Sequence, residues 1–246
     1  MRSFKLTVAY EGTRYCGWQV QAEHATVQQA FEEALARVTG QQVRVLASGR
    51  TDAGVHALGQ VVGLRVPTRL NAAVLQRALN AELPEDIAVL AAEEAPEEFH
   101  AIRDAVGKRY RYVIDNGAVR DVFARRYSWH YPQTLDVAAM QRTAEHLVGR
   151  HDFASFQSSG APRESTVRTV YELLVERRAG RQIVIEVAAD GFLYNMVRAI
   201  VGLLVEVGRG AAADGWAAEV LAARDRRAGG PTAPPQGLFL VNVDYR

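Results

Sequence analysis

The chain has 246 residues, of which 48% are hydrophobic and 23% charged, so it has the composition of an ordinary globular protein rather than a disordered one. Its net charge of +1 does not by itself indicate a polyanionic partner, and the single Cys16 excludes an internal disulfide. The longest apolar stretch, 199–205, is too short to span a bilayer, so no membrane role is expected. A lone cysteine and the absence of a signal-peptide pattern near residue 1 predict a cytoplasmic location.

The first half of the chain predicts the order strand, helix, strand, strand, helix, strand. Apolar residues alternate from Phe4 to Tyr10, which is the period of a half-buried strand. Thr26 and Gln29 form a capping-box pattern at the start of a helix, and Gly40 is a typical stop. The following elements are predicted as strands at 43–46 and 58–66, a helix at 71–83 and a strand at 87–90.

The second half predicts the same order, with an extra helix capped by Asp214. Its elements are a strand at 109–114, a helix at 137–148, strands at 167–175 and 183–187 around a turn at 177–182, a helix at 192–207 and a strand at 238–243. The doubled pattern indicates an α+β fold of two ferredoxin-like halves, similar to RNA-recognition motifs, at 1–100 and 101–246. We expect a largely antiparallel sheet, with helices on one side and a central cleft between the halves.

Charge is unevenly distributed, although the total is near zero. Residues 71–100 contain one basic and seven acidic residues, a net charge of −6, whereas 101–130 contain seven basic and three acidic residues, a net charge of +4. The second segment could attract a polyanion while the first repels one. A solvated charged surface would give the same pattern.

The segment 48–56, Ser-Gly-Arg-Thr-Asp-Ala-Gly-Val-His, follows a predicted strand and is the strongest candidate for a site. Asp and Gly favour tight turns, so a structural turn is one interpretation. In the other, Arg50 lowers the pKa of Asp52, and the ionised carboxylate acts as a nucleophile or base. The segment lacks the Gly-Lys-Ser/Thr ending of a phosphate-binding loop.

Two further segments combine aromatic or apolar residues with arginine. On a strand, Tyr110 and Tyr112 share one face, where they serve as core residues or stack on a nucleobase, and the neighbouring arginines share the other. Arg198 lies in the apolar helix predicted at 192–207, where an unpaired buried charge is costly. It either extends to water or pairs with a carboxylate such as that of Asp52.

Several chemistries are not indicated by the sequence. The six histidines show no HExxH motif, and one cysteine cannot form a cysteine-based zinc site. There is no Gly-x-Ser-x-Gly elbow and no GxGxxG after the first strand. We therefore expect neither a metal nor a nucleotide cofactor.

Taken together, the segments 49–56, 108–112 and 196–202 resemble the TruA family of tRNA pseudouridine synthases. Weaker matches at 10–19, 149–153 and 233–238 extend the resemblance over the whole chain. It implies that Asp52 is the catalytic aspartate, with Arg50 beside it. It also implies that Tyr110 is the active-site tyrosine and that Arg198 pairs with the aspartate. After Phe99-His100-Ala101, however, this chain has Ile102-Arg103 where the family has arginine and an aromatic residue.

The resemblance implies a pseudouridine synthase fold, and a homodimer that uses no cofactor. The reaction would be isomerisation of uridine to pseudouridine in the tRNA anticodon stem-loop, at roughly positions 38 to 40, on a base extruded from its stack. Two other functions remain open from the residues alone. One is a non-catalytic RNA-binding protein of paired recognition motifs, which would not need Asp52, and the other is an acid–base enzyme for a small anionic metabolite.

Overall fold

The computed structural model describes residues 1–160, 164–178 and 180–246. The chain forms two compact units, Met1–Val106 together with Phe239–Arg246, and Gly107–Leu238. These bounds differ from the predicted halves, 1–100 and 101–246, chiefly because the last eight residues join the first unit. No helix in the described part of the chain is long and apolar enough to cross a membrane.

The described residues contain five α-helices and ten strands, joined by short 3₁₀ turns. The helices are α1 (Val27–Thr39), α2 (Ala72–Glu82), α3 (Val137–Glu145), α4 (Met196–Gly208) and α5 (Trp216–Ala223). The strands are β1 (Arg2–Tyr10), β2 (Leu46–Ala47), β3 (His56–Val66), β4 (Ile87–Glu94), β5 (Ala105–Asp115), β6 (Trp129–His130), β7 (Gly149–Asp152), β8 (Val167–Arg177), β9 (Gln182–Ala189) and β10 (Leu238–Tyr245).

In the first unit the strands lie in the order β4-β1-β3-β10, and β2 also pairs with β3. Strand β1 is antiparallel to both of its neighbours, and β10 runs parallel to β3 with Phe239 opposite His56. The alternation predicted for β1 is confirmed, because Phe4, Leu6 and Val8 are fully buried. They form the core of this unit together with the apolar faces of α1 and α2.

The ends of α1 and α2 follow from their capping residues. The Thr26 side chain accepts a hydrogen bond from the Gln29 amide, and Gly40 ends α1 in the left-handed region at φ 70°. Only half of the predicted capping box forms, because the Gln29 side chain donates to Glu33 instead of returning to Thr26. Asn71 caps α2 by accepting from Val74 N at 2.9 Å.

In the second unit the strands lie in the order β5-β9-β8-β7, all antiparallel, and β6 pairs in parallel with β5. Helix α4 is buried on almost every side, and its Gly208 leaves room for Met140 of α3. The α+β class and the largely antiparallel pairing are thus confirmed. The ferredoxin-like character of the halves remains a prediction.

Several predicted boundaries are wrong for reasons that involve distant contacts. Helix α4 begins at Met196 rather than 192, because Asn195 adopts a left-handed conformation at φ 61°. The first residues of the strand predicted at 43–46 are not in the sheet, since Val45 N donates to Glu32 in α1. Asp214 does not cap α5; it forms an ion pair with Arg142 at 2.6 Å.

Two further predictions concern the segment that follows α3 and the turn between β8 and β9. The helix predicted at 137–148 ends at Glu145, and the following residues form the unpredicted strand β7, which starts at Gly149 with φ 105°. The turn predicted at 177–182 includes residue 179, which lies outside the described residues.

Candidate active site

Asp52 lies in the loop between β2 and β3, and its side chain is partly exposed. Thr51 and Val55 are buried, at 6% and 1% exposed, whereas Ala53 next to Asp52 is exposed. Val55 N donates to Asp52 O at 3.1 Å, and Gly54 adopts φ 76°, so the segment is indeed a tight turn. The turn is compatible with the functional interpretation, because it fixes the backbone of a residue that is itself partly exposed.

Two buried polar side chains hold the start of this loop from beneath. Gln60 on β3 is fully buried; its amide nitrogen donates to Gly49 O at 2.9 Å, and its amide oxygen accepts from Ser48 Oγ at 2.7 Å. The Tyr10 hydroxyl on β1 lies 2.8 Å from Thr51 Oγ1. Burial raises the pKa of Tyr10 to about 12, so the hydroxyl remains protonated. We call Gln60 and Tyr10 the loop cradle.

The segment 12–18 packs closely against the other side of the loop. A Cβ atom on Gly17, which has φ 86°, would lie 2.6 Å from Thr51 O, and Trp18 N donates to the same oxygen at 3.1 Å. A Cβ atom on Gly12 would lie 2.0 Å from Val55 O. These approaches give a physical reason for the glycines of the motif at 10–19.

His56, the last residue of the motif, is buried and fixed in orientation. Its Nδ1 accepts from Gly12 N at 3.0 Å, and its ring stacks on Phe239 with 4.8 Å between ring centroids. These contacts indicate that His56 supports the loop from the first unit's core.

Arg50 is exposed, whereas Thr51, the next residue in the loop, is buried. It makes no hydrogen bond or ion pair with any residue in the part of the chain that the structure describes, Asp52 included. The influence that Arg50 was expected to have on Asp52 stays a prediction. An exposed guanidinium of this kind is suited to an external phosphate.

The tyrosines of β5 lie on one face, as predicted. Tyr110 and Tyr112 are buried, and Tyr110 packs edge-on against Phe192 at 5.0 Å. On the opposite face, Arg109 pairs with Glu172, and Arg111 pairs with Glu186 at 2.8 Å. These two arginines are thus engaged in ion pairs within the second unit.

Tyr112 has a structural role, since it is fully buried and its hydroxyl donates to Pro234 O at 2.7 Å. Burial raises the pKa of this hydroxyl, so it stays a donor. A Cβ atom on Gly237 would lie 2.7 Å from the Tyr112 ring, which explains why a glycine follows the proline-rich segment.

Arg198 lies in the first turn of α4, and polar groups that were not predicted hold its guanidinium. Its Nε donates to Ala233 O at 2.7 Å, and its Nη1 donates to Asn195 Oδ1 at 2.7 Å. Asn195 is itself fixed by donation to Ser158 Oγ at 3.1 Å. Tyr194 falls inside the helix predicted at 192–207 but precedes α4 in the structure.

The segment 230–234 lies directly on α4. A Cβ atom on Gly202 would lie only 1.7 Å from Pro231 O, and Ala233 N donates to Arg198 O at 3.0 Å. The two segments that resemble the family motifs, 196–202 and 233–238, therefore pack against each other within the second unit.

Asp152, in the segment 149–153, makes contacts within the second unit. Asp152 accepts from Ala154 N at 3.1 Å and from Thr166 Oγ1, and forms an ion pair with Arg224 at 3.3 Å. Among the described residues, no group of three or more His, Cys, Asp or Glu side chains could hold a metal ion.

The sequence interpretation missed the loop cradle and Asn195. Gln60 did carry a signal, because it is a polar residue in the otherwise apolar run of β3. Its partners could not be identified from the sequence, since the contact between Gln60 and residues 48–49 depends on how β3 folds back beneath the loop.

Comparison with known proteins identifies the family to which this chain belongs. The tRNA pseudouridine synthase family model matches residues 6–103 and 143–246. A relative from Moorella thermoacetica, tRNA pseudouridine synthase A, is 49% identical over 247 residues and aligned over the full length of both chains. Proteins of the same name are 43% identical in Thermoanaerobacter sp. (strain X514) and 47% identical in Brevibacillus brevis, each over 245 residues and the full length of both chains. The chain therefore belongs to the tRNA pseudouridine synthase family, and it is an isomerase that acts on tRNA.

A solved Cbf5–Nop10–Gar1 complex contains a chain with 12% identity and a TM-score of 0.35, over 82% of this chain and 53% of that one. This likeness is too low to support any argument about function.

Proposed function

We propose that this enzyme modifies uridines in the anticodon stem-loop, at roughly positions 38 to 40, with Asp52 as its catalytic carboxylate and no cofactor. The observation that carries the proposal is the Asp52 loop. Asp52 is partly exposed, while buried groups fix the backbone on both sides of it. A catalytic group has to be held within about 0.5 Å of its working position, and the buried contacts on the loop support such positioning.

The chemistry needs no change of oxidation state. The bond between C1′ and N1 of uridine breaks, a bond between C1′ and C5 forms, the C5 proton leaves and N1 acquires a proton. One ionised carboxylate can promote this sequence by attacking the sugar or the base, or by removing a ribose proton. All three paths use the same accessible carboxylate, and all three release the C5 proton.

The other site residues are given roles by their surroundings and by the family resemblance. Tyr110 stacks on the flipped uracil, and its contact with Phe192 would keep the ring in place. Its hydroxyl could assist removal of the C5 proton. Arg50 binds a phosphate or helps to open the base stack, as its exposure allows. The pairing of Arg198 with Asp52 stays a prediction.

The resemblance also implies a homodimer in the cytoplasm with two ferredoxin-like halves in each subunit, and we propose these features for the present chain. The strand order β4-β1-β3, with β2 on the other side of β3, supports the ferredoxin-like proposal for the first unit. Sedimentation of the purified protein, with and without tRNA, tests the dimer.

The site of modification is tested by tritium release from tRNA transcripts labelled at C5 of uridine. One transcript is complete, and in a second each uridine at roughly positions 38 to 40 is replaced by cytidine. We expect release from the first and none from the second. Equal release from both would contradict the anticodon proposal. Tight binding without release from either would favour the non-catalytic RNA-binding protein.

A further inference from the structure

A loop that the proposed mechanism does not use presents apolar side chains to solvent. It joins β5 to β6, and we call residues 118–127 the β5–β6 loop. Phe123 is 88% exposed, Val119 75% and Val122 52%. Neighbouring apolar residues this exposed are uncommon on a soluble protein, and such patches mark surfaces that contact a partner.

The loop is held in a defined conformation by Asp115, the buried last residue of β5. The Asp115 carboxylate accepts from the Arg181 side chain and from Asp121 N at 3.1 Å, and Arg181 also donates to Val119 O. The Arg181 hydrogen bond, followed by backbone hydrogen bonds, holds the pKa of Asp115 at about 2, so the anchor remains ionised at neutral pH.

A second turn fixes the most exposed residue. Asp121 Oδ1 accepts from Phe123 N at 2.8 Å and from Ala124 N at 3.2 Å, which closes the backbone around it. Ser128 Oγ donates to Ala124 O at 3.0 Å on the far side of the turn. The exposed ring is therefore presented by a rigid loop, which lowers the entropy cost of any contact it makes.

The charge of the loop favours an anionic partner. It carries three arginines, Arg120, Arg125 and Arg126, and one carboxylate, Asp121, whose oxygen is used in the turn. Arg120 and Arg125 are exposed, and neither forms an ion pair with any described residue. Arginine beside an exposed aromatic ring is the combination that contacts phosphates and stacks on bases in RNA-binding surfaces.

We propose that the β5–β6 loop is a second contact surface for tRNA, separate from the residues that handle the reacting uridine. Its arginines neutralise backbone phosphates, and Phe123 stacks on an unpaired base or a ribose. A second copy of this chain fits less well, because a two-fold contact between identical loops would bring their arginines together. The inference needs tRNA as substrate, and it is independent of the anticodon position.

The test compares tRNA affinity and its salt dependence for two variants and two matched controls. The double variant Arg120→Gln/Arg125→Gln removes two charges, and Phe123→Ala removes the ring. The controls are Arg77→Gln, an exposed arginine on α2, and Leu90→Ala, an exposed apolar residue on β4. Dissociation constants for one unmodified transcript are measured between about 50 and 200 mM salt. Sedimentation gives the oligomeric state of each variant.

We expect the arginine variant to reduce the slope of log Kd against log salt concentration by about 1 to 2. We expect Phe123→Ala to raise Kd at least ~5-fold at every salt concentration. Both controls should bind as wild type does. An unchanged slope together with an unchanged Kd overturns the proposal, and so does a change in oligomeric state without a change in tRNA affinity. Tritium release by the wild type is independent of these outcomes, so a failure here leaves the proposed reaction intact.

Discussion

Replacing Gln60 by leucine should impair turnover more than it impairs tRNA binding. Leucine fills a similar volume in β3 but removes the donor to Gly49 O and the acceptor for Ser48 Oγ. A buried group that loses a hydrogen bond costs about 1–3 kcal/mol, so the two lost hydrogen bonds should lower the unfolding free energy by at least about 2 kcal/mol. The remaining stability of a domain of this size should still leave it folded at low temperature.

The larger effect is expected on the rate, because Ser48 and Gly49 lead directly into Asp52. A displacement of about 1 Å at a catalytic group can cost ~100-fold in rate. We therefore expect kcat to fall by about that factor, whereas KM for tRNA should change little because Gln60 is fully buried and does not reach the RNA. Single-turnover tritium release and urea unfolding measure the two effects separately.

Gln76→Leu is the matched control for this prediction. The Gln76 amide also donates to two backbone carbonyls, Val89 O at 3.1 Å and Leu90 O at 2.8 Å, but in a region of the first unit away from the Asp52 loop. It should lose stability without losing kcat. If a folded Gln60→Leu enzyme kept kcat within about 3-fold of wild type, the loop cradle would not be a positioning device, since 3-fold is far less than the expected ~100-fold.

Three further predictions test other parts of the structure. Gly202→Ala should destabilise the protein by at least ~3 kcal/mol in urea unfolding, because its Cβ would overlap the Pro231 carbonyl. Asp115 has its pKa lowered in the folded state by Arg181, so its stabilising contribution is present above its unfolded pKa of about 3.9 and is lost as the pH falls toward 2. The gap in unfolding free energy between wild type and Asp115→Asn should accordingly narrow as the pH falls from about 5 to about 2, and a constant gap would show that the ion pair does not matter. Tyr110→Phe keeps the ring and should retain tRNA affinity, so a large loss of tritium release there would assign a chemical role to the hydroxyl.

Elements defined by local signals were predictable from the sequence. The β1 alternation, the capping signals Thr26 and Gly40 and the helix predicted at 71–83 match the observed first strand and two helices to within a residue or two. Asp52, Tyr110 and Arg198 could be named as candidates because their motifs are short and contiguous.

Other features depend on contacts between distant parts of the chain. The start of α4 is set by Asn195, whose left-handed conformation is supported by Ser158, and no local pattern indicates that contact. The displaced strand near Val45 results from its hydrogen bond to Glu32. Likewise, the exposure of Arg50 depends on how the loop folds, which the spacing to Asp52 does not reveal.

The most direct test of the central claim is tritium release by wild type, Asp52→Asn and Asp52→Ala on the same C5-labelled transcript, with tRNA affinity measured in parallel. The account predicts release by the wild type, a loss of at least ~1,000-fold in both variants, and little change in Kd, because the carboxylate acts on the reacting nucleotide and not on the phosphates. Release by either variant at a rate near that of wild type would contradict the assignment of Asp52 as the catalytic carboxylate.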